Sequence, residues 1–493
     1  MIMTTSFYRH PELWLPEIAG THVDLDHLEQ LYKQEEVLYE SRMTKSKTMH
    51  ERAVKSMPNG VTNSWQSVWH VPHPFYISNC KDNYVTDIDG NEYIDFNLGD
   101  TPDFYGHSPK NAVTEGIIEL LQNSGINTLV TNEDAIVASE LLTERFGLPY
   151  WFTALSASDA NRFSVKLAKL ATGRNKVMQF NMAYHGTLDE TNAWMPEEGV
   201  VEYRVPEIYP GQDPNQFTRV ATFNDLASVE AQLKYGDVAV VLTEPALSNS
   251  GLTLPKPGFH DGLRELCTKY GTLLLIDETH MQTTAHHGAT GEWGLQPDIW
   301  VAGKCIAGGI PCGVYGFSES VAELFQSTIG KGPWHMAGLL GQQTTMTGNA
   351  LSLRALRLNL EHNVTKENFA HMIGTNTYLT QKLNAVISKY NVPLSTEQVG
   401  ARTWLHFCES TPIEIEDCVR GIGMVGHFID YIFMYLFNRG VMIIPFGLNM
   451  WLVSPQTTKA DCDVFAKHFE GAVINMFQLD SVITEPCTEE FEV

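Results

Sequence analysis

Two apolar segments, each ending in a polar residue, constrain this chain of 493 residues more than any other feature. The first, LLLIDETH at 273–280, predicts a buried strand that ends at the acid Asp277. The second, PDIWVAGKCIAGGIPCG at 297–313, predicts a further strand followed by Lys304 among glycines. Because ligands of α/β sheets bind at the carboxyl ends of the strands, we expect Asp277 and Lys304 to lie at one edge of one sheet.

An acid and a lysine at such an edge suit the chemistry of pyridoxal phosphate (PLP). Asp277 can keep the pyridine nitrogen protonated, and Lys304 can form a Schiff base with the aldehyde. The two segments alone leave other interpretations open. Most acids and lysines at strand ends are solvated, and the pair Asp277 and Glu278 after an apolar strand also suits a metal site.

Composition narrows the class of protein. A hydrophobic content of 43% supports large buried cores in two or three domains. The chain has 33 basic and 58 acidic side chains and a net charge of −25, which argues against a nucleic-acid partner and against an anionic membrane. The sequence has no long apolar run and no pattern of a signal peptide. We therefore expect a cytoplasmic protein with no membrane span. The cysteines are scattered without a CxxC pair, so we expect reduced thiols and no metal site.

The middle of the chain, from about residue 110 to 365, alternates strand-like and helix-like patterns. This alternation predicts an α/β fold whose mainly parallel sheet carries helices on both faces. The predicted strands are Val177–Phe180, Val238–Leu242, Leu273–Ile276 and Ile299–Ala302. The predicted helices among them include Asn161–Ala171 and Gly258–Tyr270. Beyond residue 366, helices mixed with short strands indicate a smaller α+β domain.

Three further features of the sequence suit a bound cofactor but also have ordinary explanations. The run from Ser156 to Ala160 precedes a helix, so it can hold a phosphate at the helix N-terminus or simply cap the helix. Tyr184 follows a predicted strand and can stack on a flat ring, although a buried tyrosine is more often part of a core. Asn249 can hydrogen-bond a phenolic oxygen, and it equally suits a plain turn.

In this order and spacing, the motifs resemble those of the class III aminotransferase family of fold-type-I PLP enzymes, and most of all its glutamate-1-semialdehyde aminomutase branch. The resemblance covers roughly residues 56 to 475. The matching motifs are MPNGV (57–61), DIDGNEYIDF (87–96), YGHSP (105–109), SASDA (156–160), YHG (184–186), EPALSNSG (244–251), IDE (276–278), GK (303–304) and TMTGNALSLRAL (345–356).

The resemblance implies a fold and a domain organisation. It implies a large domain with a mainly parallel sheet of the seven-stranded type and a smaller α+β domain at the C-terminus. We expect an N-terminal helical arm at 1–57 and an N-terminal segment of the small domain at 58–109. The large PLP-binding domain is expected at 110–365, and the rest of the small domain at 366–493.

The resemblance also implies roles for single residues. Lys304 would carry the cofactor and then move protons at the substrate carbon, and Asp277 would pair with the pyridinium nitrogen. Tyr184 would stack on the ring, and Asn249 would hydrogen-bond the oxygen O3′. Glu244, which lies in a matching motif, is expected to be structural.

The cofactor phosphate would be bound at the start of a helix. Ser156, Ala157 and Ser158 would hold it, with help from Thr345 of the partner subunit. The resemblance therefore implies a homodimer whose two active sites are shared.

The departures from the family pattern concern the substrate. Thr279-His280 stands where the family has valine and then glutamine or methionine, which places a titratable imidazole near the site. The arginine that binds a substrate carboxylate in the aminomutase branch is replaced by the stretch Trp65-Gln66-Ser67. Glutamate semialdehyde is therefore not the expected substrate. The candidate substrate contacts are Trp65, Ser67, His280 and Arg402.

The chain is thus predicted to be a PLP-dependent enzyme that acts on the primary amine of a small substrate through a Schiff base and a quinonoid. Amino transfer or aminomutase chemistry is preferred. One alternative is an ammonia-lyase that eliminates from a hydroxylated amine carrying phosphate or phosphonate. The second alternative is a catalytically silent PLP-binding protein.

Overall fold

The structure is a computed structural model, and it describes residues 25–107, 112–197, 199–249, 251–328, 343–407, 428–444 and 450–479. Its strands are β1 Ile77–Lys81, β2 Tyr84–Asp87, β3 Glu92–Asp95, β4 Tyr150–Ala154, β5 Lys176–Phe180, β6 Ala193–Glu197, β7 Val200–Tyr203, β8 Thr218–Ala221, β9 Val238–Thr243, β10 Leu273–Asp277, β11 Ile299–Ala302, β12 Gly313–Phe317, β13 Ser395–Val399, β14 Arg402–His406, β15 Val441–Met442 and β16 Met450–Leu452.

The helices surround these strands. They are α1 Leu25–Arg42, α2 Thr44–Ala53, α3 Ala112–Glu119, α4 Glu133–Phe146, α5 Ala157–Thr172, α6 Leu226–Leu233, α7 Phe259–Tyr270, α8 Gly288–Glu292, α9 Glu319–Thr328, α10 Ala350–His362, α11 Lys366–Tyr390, α12 428–437 and α13 Lys459–Met476. Within the described residues, no helix is both long enough and apolar enough to cross a membrane.

The large sheet has seven strands in the order β4-β12-β11-β10-β9-β5-β8. The pairs from β11 through β10, β9 and β5 to β8 are parallel, whereas β12 runs antiparallel to both β11 and β4. The short connection 303–312 explains the exception, because a parallel crossover needs a dozen or more residues. The sequence-based prediction of a mainly parallel sheet is confirmed, and the four predicted strands are all present with slightly different ends.

The remaining strands form smaller sheets. Strands β1, β2 and β3 make an antiparallel meander that is joined by β15, and β13, β14 and β16 form another antiparallel sheet. The parallel pairing of β3 with β15 joins an N-terminal segment to a C-terminal one. The exact domain boundaries stay a prediction.

The described part of the N-terminal segment consists of α1 and α2, and it packs on the C-terminal part of the chain. Glu35 on α1 accepts hydrogen bonds from Asn438 at 2.8 Å and from Arg439 at 3.0 Å. The Asp89 carboxylate accepts the backbone N–H groups of Lys45 and Ser46 at the start of α2. An acid at a helix N-terminus satisfies N–H groups that lack an acceptor within the helix, which fixes where α2 begins.

Candidate active site

Asp277, the last residue of β10, is buried and almost fully hydrogen-bonded. Its Oδ2 accepts from Asn161 Nδ2 at 2.7 Å and lies 3.1 Å from His185 Nδ1. Its Oδ1 accepts from the backbone N–H of Thr279 at 3.0 Å and from the Thr279 hydroxyl at 2.6 Å. Burial opposes ionisation, but the hydrogen bonds from His185, Thr279 and Asn161 outweigh it and lower the pKa of Asp277. The structure therefore presents a carboxylate, which is the form needed to pair with a pyridinium.

Lys304 follows the neighbouring parallel strand β11, so its amine lies at the same sheet edge. Its backbone has a φ of 51°, an uncommon value for a residue with a side chain. The Nζ donates to Asp100 Oδ2 at 2.7 Å and contacts His280 Nε2. Burial lowers the pKa of Lys304, although Asp100 opposes that shift. A lysine with a lowered pKa is more often neutral, which is the nucleophilic form.

Two glycines, Gly303 and Gly186, allow close packing against the start of α5. A Cβ on Gly303 would lie 2.7 Å from the Ala157 nitrogen, and a Cβ on Gly186 would lie 2.0 Å from Ser158 Oγ. The Ser156 hydroxyl caps the helix by accepting the Asp159 N–H at 3.1 Å. The first turn of α5 is thus held beside Lys304, because Gly303 directly precedes that lysine. The start of α5 and the two glycines beside it form what we call the phosphate cradle. It fits a phosphate, because a phosphate binds the N–H groups and the positive end of a helix.

His280 connects Lys304 to a buried glutamate. Its Nδ1 lies 2.6 Å from Ser248 Oγ, and the Ser248 hydroxyl donates to the Glu244 carboxylate. Burial lowers the pKa of His280 to about 4, and the charge of Lys304 acts in the same direction. A neutral imidazole that donates from Nδ1 to Ser248 is left to accept at Nε2, which faces the lysine. The predicted titratable group near the site is therefore neutral at ordinary pH.

Asp100 lies in a turn with an unusual backbone. Four consecutive residues have positive φ values: Leu98 at 46°, Gly99 at 63°, Asp100 at 57° and Thr101 at 99°. Only one of them is glycine, and a non-glycine residue in this region costs about 1–3 kcal/mol. The turn places the Asp100 carboxylate against Lys304 and 3.5 Å from His280 Nε2. Strain that a fold maintains at one point is typical of a functional site.

Arg402 begins β14 and is fully buried beside the same acid. Its Nη1 lies 3.6 Å from Asp100 Oδ1, and its Nη2 donates to the Thr101 hydroxyl. Burial lowers the pKa of Arg402, although Asp100 opposes the shift. The structure thus brings this predicted substrate contact to the group around Lys304.

Tyr184 and Asn249 lie at the ends of the neighbouring strands. Tyr184, in the loop after β5, keeps 40% of its surface exposed, which leaves a ring face available for stacking. The partly buried Arg204 donates to the Ala183 carbonyl and so fixes the backbone next to Tyr184. Asn249 is buried, and its Nδ2 lies 3.4 Å from His280 Nδ1.

Three further predicted residues lie on a short helix and in a turn. Trp65 and Ser67 lie on the short 3-10 helix Ser64–Val68, where Trp65 is 41% exposed and the Ser67 hydroxyl donates to the Ser64 carbonyl at 2.6 Å. Thr345 is exposed in the turn before α10. The structure does not join Ser67 to the Lys304 group. Most of the long loop between Ile329 and Thr345 lies outside the described residues.

Three features of the site were not predicted from the sequence: the position of Asp100, that of Ser248, and the contact between His280 and Lys304. Asp100 falls between two matching motifs, DIDGNEYIDF and YGHSP, and the sequence FNLGD gives no sign of a left-handed turn apart from its single glycine. Glu244 was expected to be structural, yet it ends the hydrogen-bonded chain that starts at Lys304. Burial raises its pKa to about 8.

Comparison with known proteins identifies the family. The profile described as Aminotransferase class-III matches residues 65–473. A glutamate-1-semialdehyde 2,1-aminomutase 2 of Lachnoclostridium phytofermentans is 30% identical over 430 residues, which cover 85% of this chain and 97% of that relative. A protein of the same name from Anoxybacillus flavithermus is 32% identical over 429 residues, covering 85% and 95%. The chain belongs to the class-III aminotransferase family.

Solved structures agree with that assignment. A glutamate-1-semialdehyde aminomutase from Pseudomonas aeruginosa PAO1 has a TM-score of 0.86 at 33% identity, covering 92% of this chain and 99% of that one. A variant of it was solved in complex with PMP. A β-phenylalanine aminotransferase from Variovorax paradoxus has a TM-score of 0.77 at 25% identity, covering 91% and 97%.

These likenesses confirm the predicted fold, the PLP cofactor and an enzyme of the aminotransferase and aminomutase type. They do not favour elimination. The chain is an enzyme, so the alternative of a catalytically silent PLP-binding protein is set aside.

Proposed function

We propose that the enzyme transfers the amino group of a small primary amine to a carbonyl acceptor, in preference to isomerising glutamate semialdehyde. The observation that carries this proposal is the position of Lys304 and Asp277 at the ends of two paired parallel strands. PLP, when bound, supplies an electron sink for proton removal beside the amine nitrogen. Ser67, in the region where the aminomutase branch has its carboxylate-binding arginine, is bonded within its own turn.

The chain's own groups divide the remaining work. We assign Ser156, Ala157 and Ser158 to the phosphate, Tyr184 to stacking and Asn249 to O3′. Asp277 holds a proton on the ring nitrogen, because its ionised carboxylate is fixed by hydrogen bonds on both oxygens.

Lys304 would carry the cofactor and then move protons at the substrate carbon. Asp100 and His280 orient its amine from two directions, because both contact Nζ. The side chains of Lys304 and Asp100 are 25% and 30% exposed, and this partial burial strengthens the electrostatic contact between them.

The direct test is a screen of amines with the purified, PLP-loaded enzyme. Each amine is incubated with and without pyruvate or 2-oxoglutarate, and the carbonyl product and free ammonia are both measured. Lys304→Ala serves as the blank. We expect product that depends on the acceptor and no sustained ammonia release. Ammonia formed without any acceptor would show elimination and would contradict the proposal.

We further propose a homodimer with shared sites. Five exposed apolar side chains form what we call the apolar patch: Ile118, Leu121, Ile126, Leu129 and Val130. Apolar patches of this kind mark protein interfaces. The patch adjoins the segment that carries Thr345, because the Ala350 N–H donates to the Asn127 carbonyl at 3.0 Å. We therefore propose that a second copy covers the patch and receives Thr345 in its phosphate site.

Complementation tests the shared site. Thr345→Ala chains are mixed with Lys304→Ala chains under conditions that exchange subunits. A hybrid dimer then has one doubly damaged site and one intact site, so activity should exceed that of either parent. If exchange is verified and no activity returns, Thr345 does not act across the subunit boundary.

We also propose that the enzyme is cytoplasmic. The cysteines Cys80, Cys267, Cys305, Cys312 and Cys462 are free thiols in the structure. Free thiols fit a reducing compartment. Fractionation of cells that produce the protein tests this location, and recovery from a secreted fraction would contradict it.

A further inference from the structure

Asp100 and Arg402 form an incomplete ion pair beside the reacting amine. Their nearest charged atoms, Oδ1 and Nη1, are 3.6 Å apart, which is longer than a hydrogen bond. Asp100 Oδ2 is occupied by Lys304, whereas Oδ1 has no hydrogen-bond partner among the described residues. Arg402 uses Nη1 on the Met450 sulfur and Nη2 on Thr101, and its buried Nε likewise lacks an acceptor in the described part of the chain.

Asp100 Oδ1 and Arg402 Nε are thus an acceptor and a donor without hydrogen-bond partners among the described residues, on two neighbouring side chains. Leaving buried polar atoms unpaired is unfavourable, so a ligand that pairs with both gains affinity. A carboxylate would accept from Arg402 but would lie against the Asp100 carboxylate. An ammonium would donate to Asp100 but would be repelled by Arg402. A neutral hydroxyl or carboxamide can donate and accept at once, so it suits both partners.

The repulsion between Asp100 and a carboxylate persists at working pH. Burial alone would raise the pKa of Asp100, but the charges of Lys304 and Arg402 oppose it, and that pKa is held well below its ordinary value. If the substrate amine displaces Lys304, Arg402 stays 3.6 Å from Asp100 Oδ1 and continues to favour the ionised acid. Groups close to the incoming amine would then lie near this carboxylate.

We propose that the substrate is a primary amine with a neutral hydroxyl or carboxamide group near its amino carbon, and that Asp100 selects it against amines with a carboxylate there. This inference rests on the proposed function, because the amine must first displace Lys304. It assigns substrate selection to Asp100 and Arg402 together. It also accounts for the missing arginine near Ser67, since a substrate without a carboxylate needs no such partner.

Matched probes test the proposal. Alaninol, alaninamide and alanine share one skeleton, as do β-aminobutanol, β-aminobutanamide and β-aminobutanoate. Each is mixed with the PLP-loaded enzyme without an acceptor, and the loss of PLP absorbance gives a second-order rate constant. Binding of butyramide and butyrate, which lack the amino group, is measured separately by calorimetry or NMR titration. In both sets we expect the alcohol and the amide to exceed the acid by about tenfold or more, and butyramide to bind more tightly than butyrate.

The variant Asp100→Asn distinguishes a loss of substrate selection from a general loss of activity. The variant loses the repelling charge, so we expect the preference over the acid to shrink by about tenfold, whatever happens to the absolute rates. The control is Asp103→Asn, which changes a neighbouring acid whose ion-pair partner is His107. The control should keep the wild-type ratio within about twofold.

Each outcome decides a separate point. If the acids react faster than the alcohols and amides in the wild type, the substrate class is wrong and the proposed function stands. If Asp100→Asn keeps the wild-type ratio, or Asp103→Asn changes it equally, Asp100 is not the selecting residue. If no probe or other amine alters PLP that is shown to be attached to Lys304, the proposed function fails, and this inference fails with it.

Discussion

Two acids of the site, Asp277 and Asp100, differ in how completely they are hydrogen-bonded. Asp277 accepts from Thr279 on one oxygen and from Asn161 and His185 on the other, and it ends a regular strand. Asp100 has Lys304 on one oxygen and no hydrogen-bond partner on the other within the described residues, and it sits in the left-handed turn. On the cofactor side of the site, represented by Asp277, the chain itself supplies the hydrogen bonds. On the substrate side, formed by Asp100 and Arg402, polar atoms stay without partners among the described residues.

This difference follows from what each side must bind. A cofactor that stays in place can be matched by fixed groups on strands and helix ends, which regular structure positions accurately. A substrate that comes and goes must find polar atoms that the chain has not already paired. Strained backbone and unpaired atoms at Asp100 and Arg402 are therefore expected on the substrate side. Changes on the cofactor side should impair all substrates alike, and changes on the substrate side should alter the ranking of substrates.

The largest effect is expected for Lys304→Ala. We propose that the Lys304 amine both carries the cofactor and moves the proton, so turnover should fall to the level measured without enzyme. The fold should persist, because Arg402 stays beside Asp100 when that acid loses Lys304 as a partner. Activity is measured together with thermal unfolding. Near-normal turnover in the variant would show that Lys304 does not carry the cofactor.

Asp277→Asn should come next. Loss of the charge opposite the ring nitrogen removes an electrostatic contribution of about 3 kcal/mol or more, a rate loss of about a hundredfold or greater. PLP should stay bound through its phosphate. The matched control is Glu278→Gln, because Glu278 is adjacent and buried, and burial raises its pKa to about 8. A loss below threefold for Asp277→Asn, or an equal loss for the control, would make Asp277 a structural acid.

The variant Gly303→Ala tests whether the phosphate cradle depends on close packing at Gly303. Its Cβ would lie 2.7 Å from the Ala157 nitrogen, so the start of α5 must move away from Lys304. Overpacking of this kind costs about 1–3 kcal/mol, and PLP retention should weaken by about tenfold or more. Gly374→Ala, a helical site where a Cβ meets nothing within 4 Å, is the control and should retain PLP. Equal PLP release from wild type and Gly303→Ala during dialysis would show that close packing at Gly303 is not needed.

Much of the cofactor side could be predicted from the sequence. Strand period, buried apolar runs and terminal polar residues identified β10 and β11 and placed Asp277 and Lys304 at one edge. These features depend on local patterns, which propensity and periodicity capture. The antiparallel β12 was not predicted, because its direction depends on the short connection after β11.

The substrate side could be predicted only in part. His280 and Arg402 were named because they depart from a family pattern or carry charge, but their partners were not. Asp100 was missed because Leu98, Asp100 and Thr101 adopt left-handed φ values that their residue types disfavour. Tertiary contacts impose such a conformation, and the periodicity of apolar residues in the sequence does not indicate it. Substrate contacts by Trp65 and Ser67 were predicted from their position in a motif and stay predictions; the Ser67 hydroxyl donates within its own turn.

The smallest expected effect concerns the pH dependence of stability, and it compares two buried histidines. Burial lowers the pKa of His280 and that of His406 to about 4. In the unfolded chain a histidine titrates near about 6.5. Between these values the unfolded chain binds more protons, so the free energy of unfolding falls as pH falls from about 6.5 to 4.

Replacing either histidine with glutamine should make that decline shallower by about 1 kcal/mol per pH unit, as measured by urea unfolding of the apoenzyme. Only His280→Gln should also change the pH profile of PLP attachment, because His280 contacts Lys304. His406, whose Nε2 has no hydrogen-bond partner among the described residues, is the control for burial alone. If both variants shift the attachment profile equally, His280 acts through stability and not through the lysine. If neither changes the slope, both histidines are protonated in the folded chain, and the buried site is more open to water than its burial indicates.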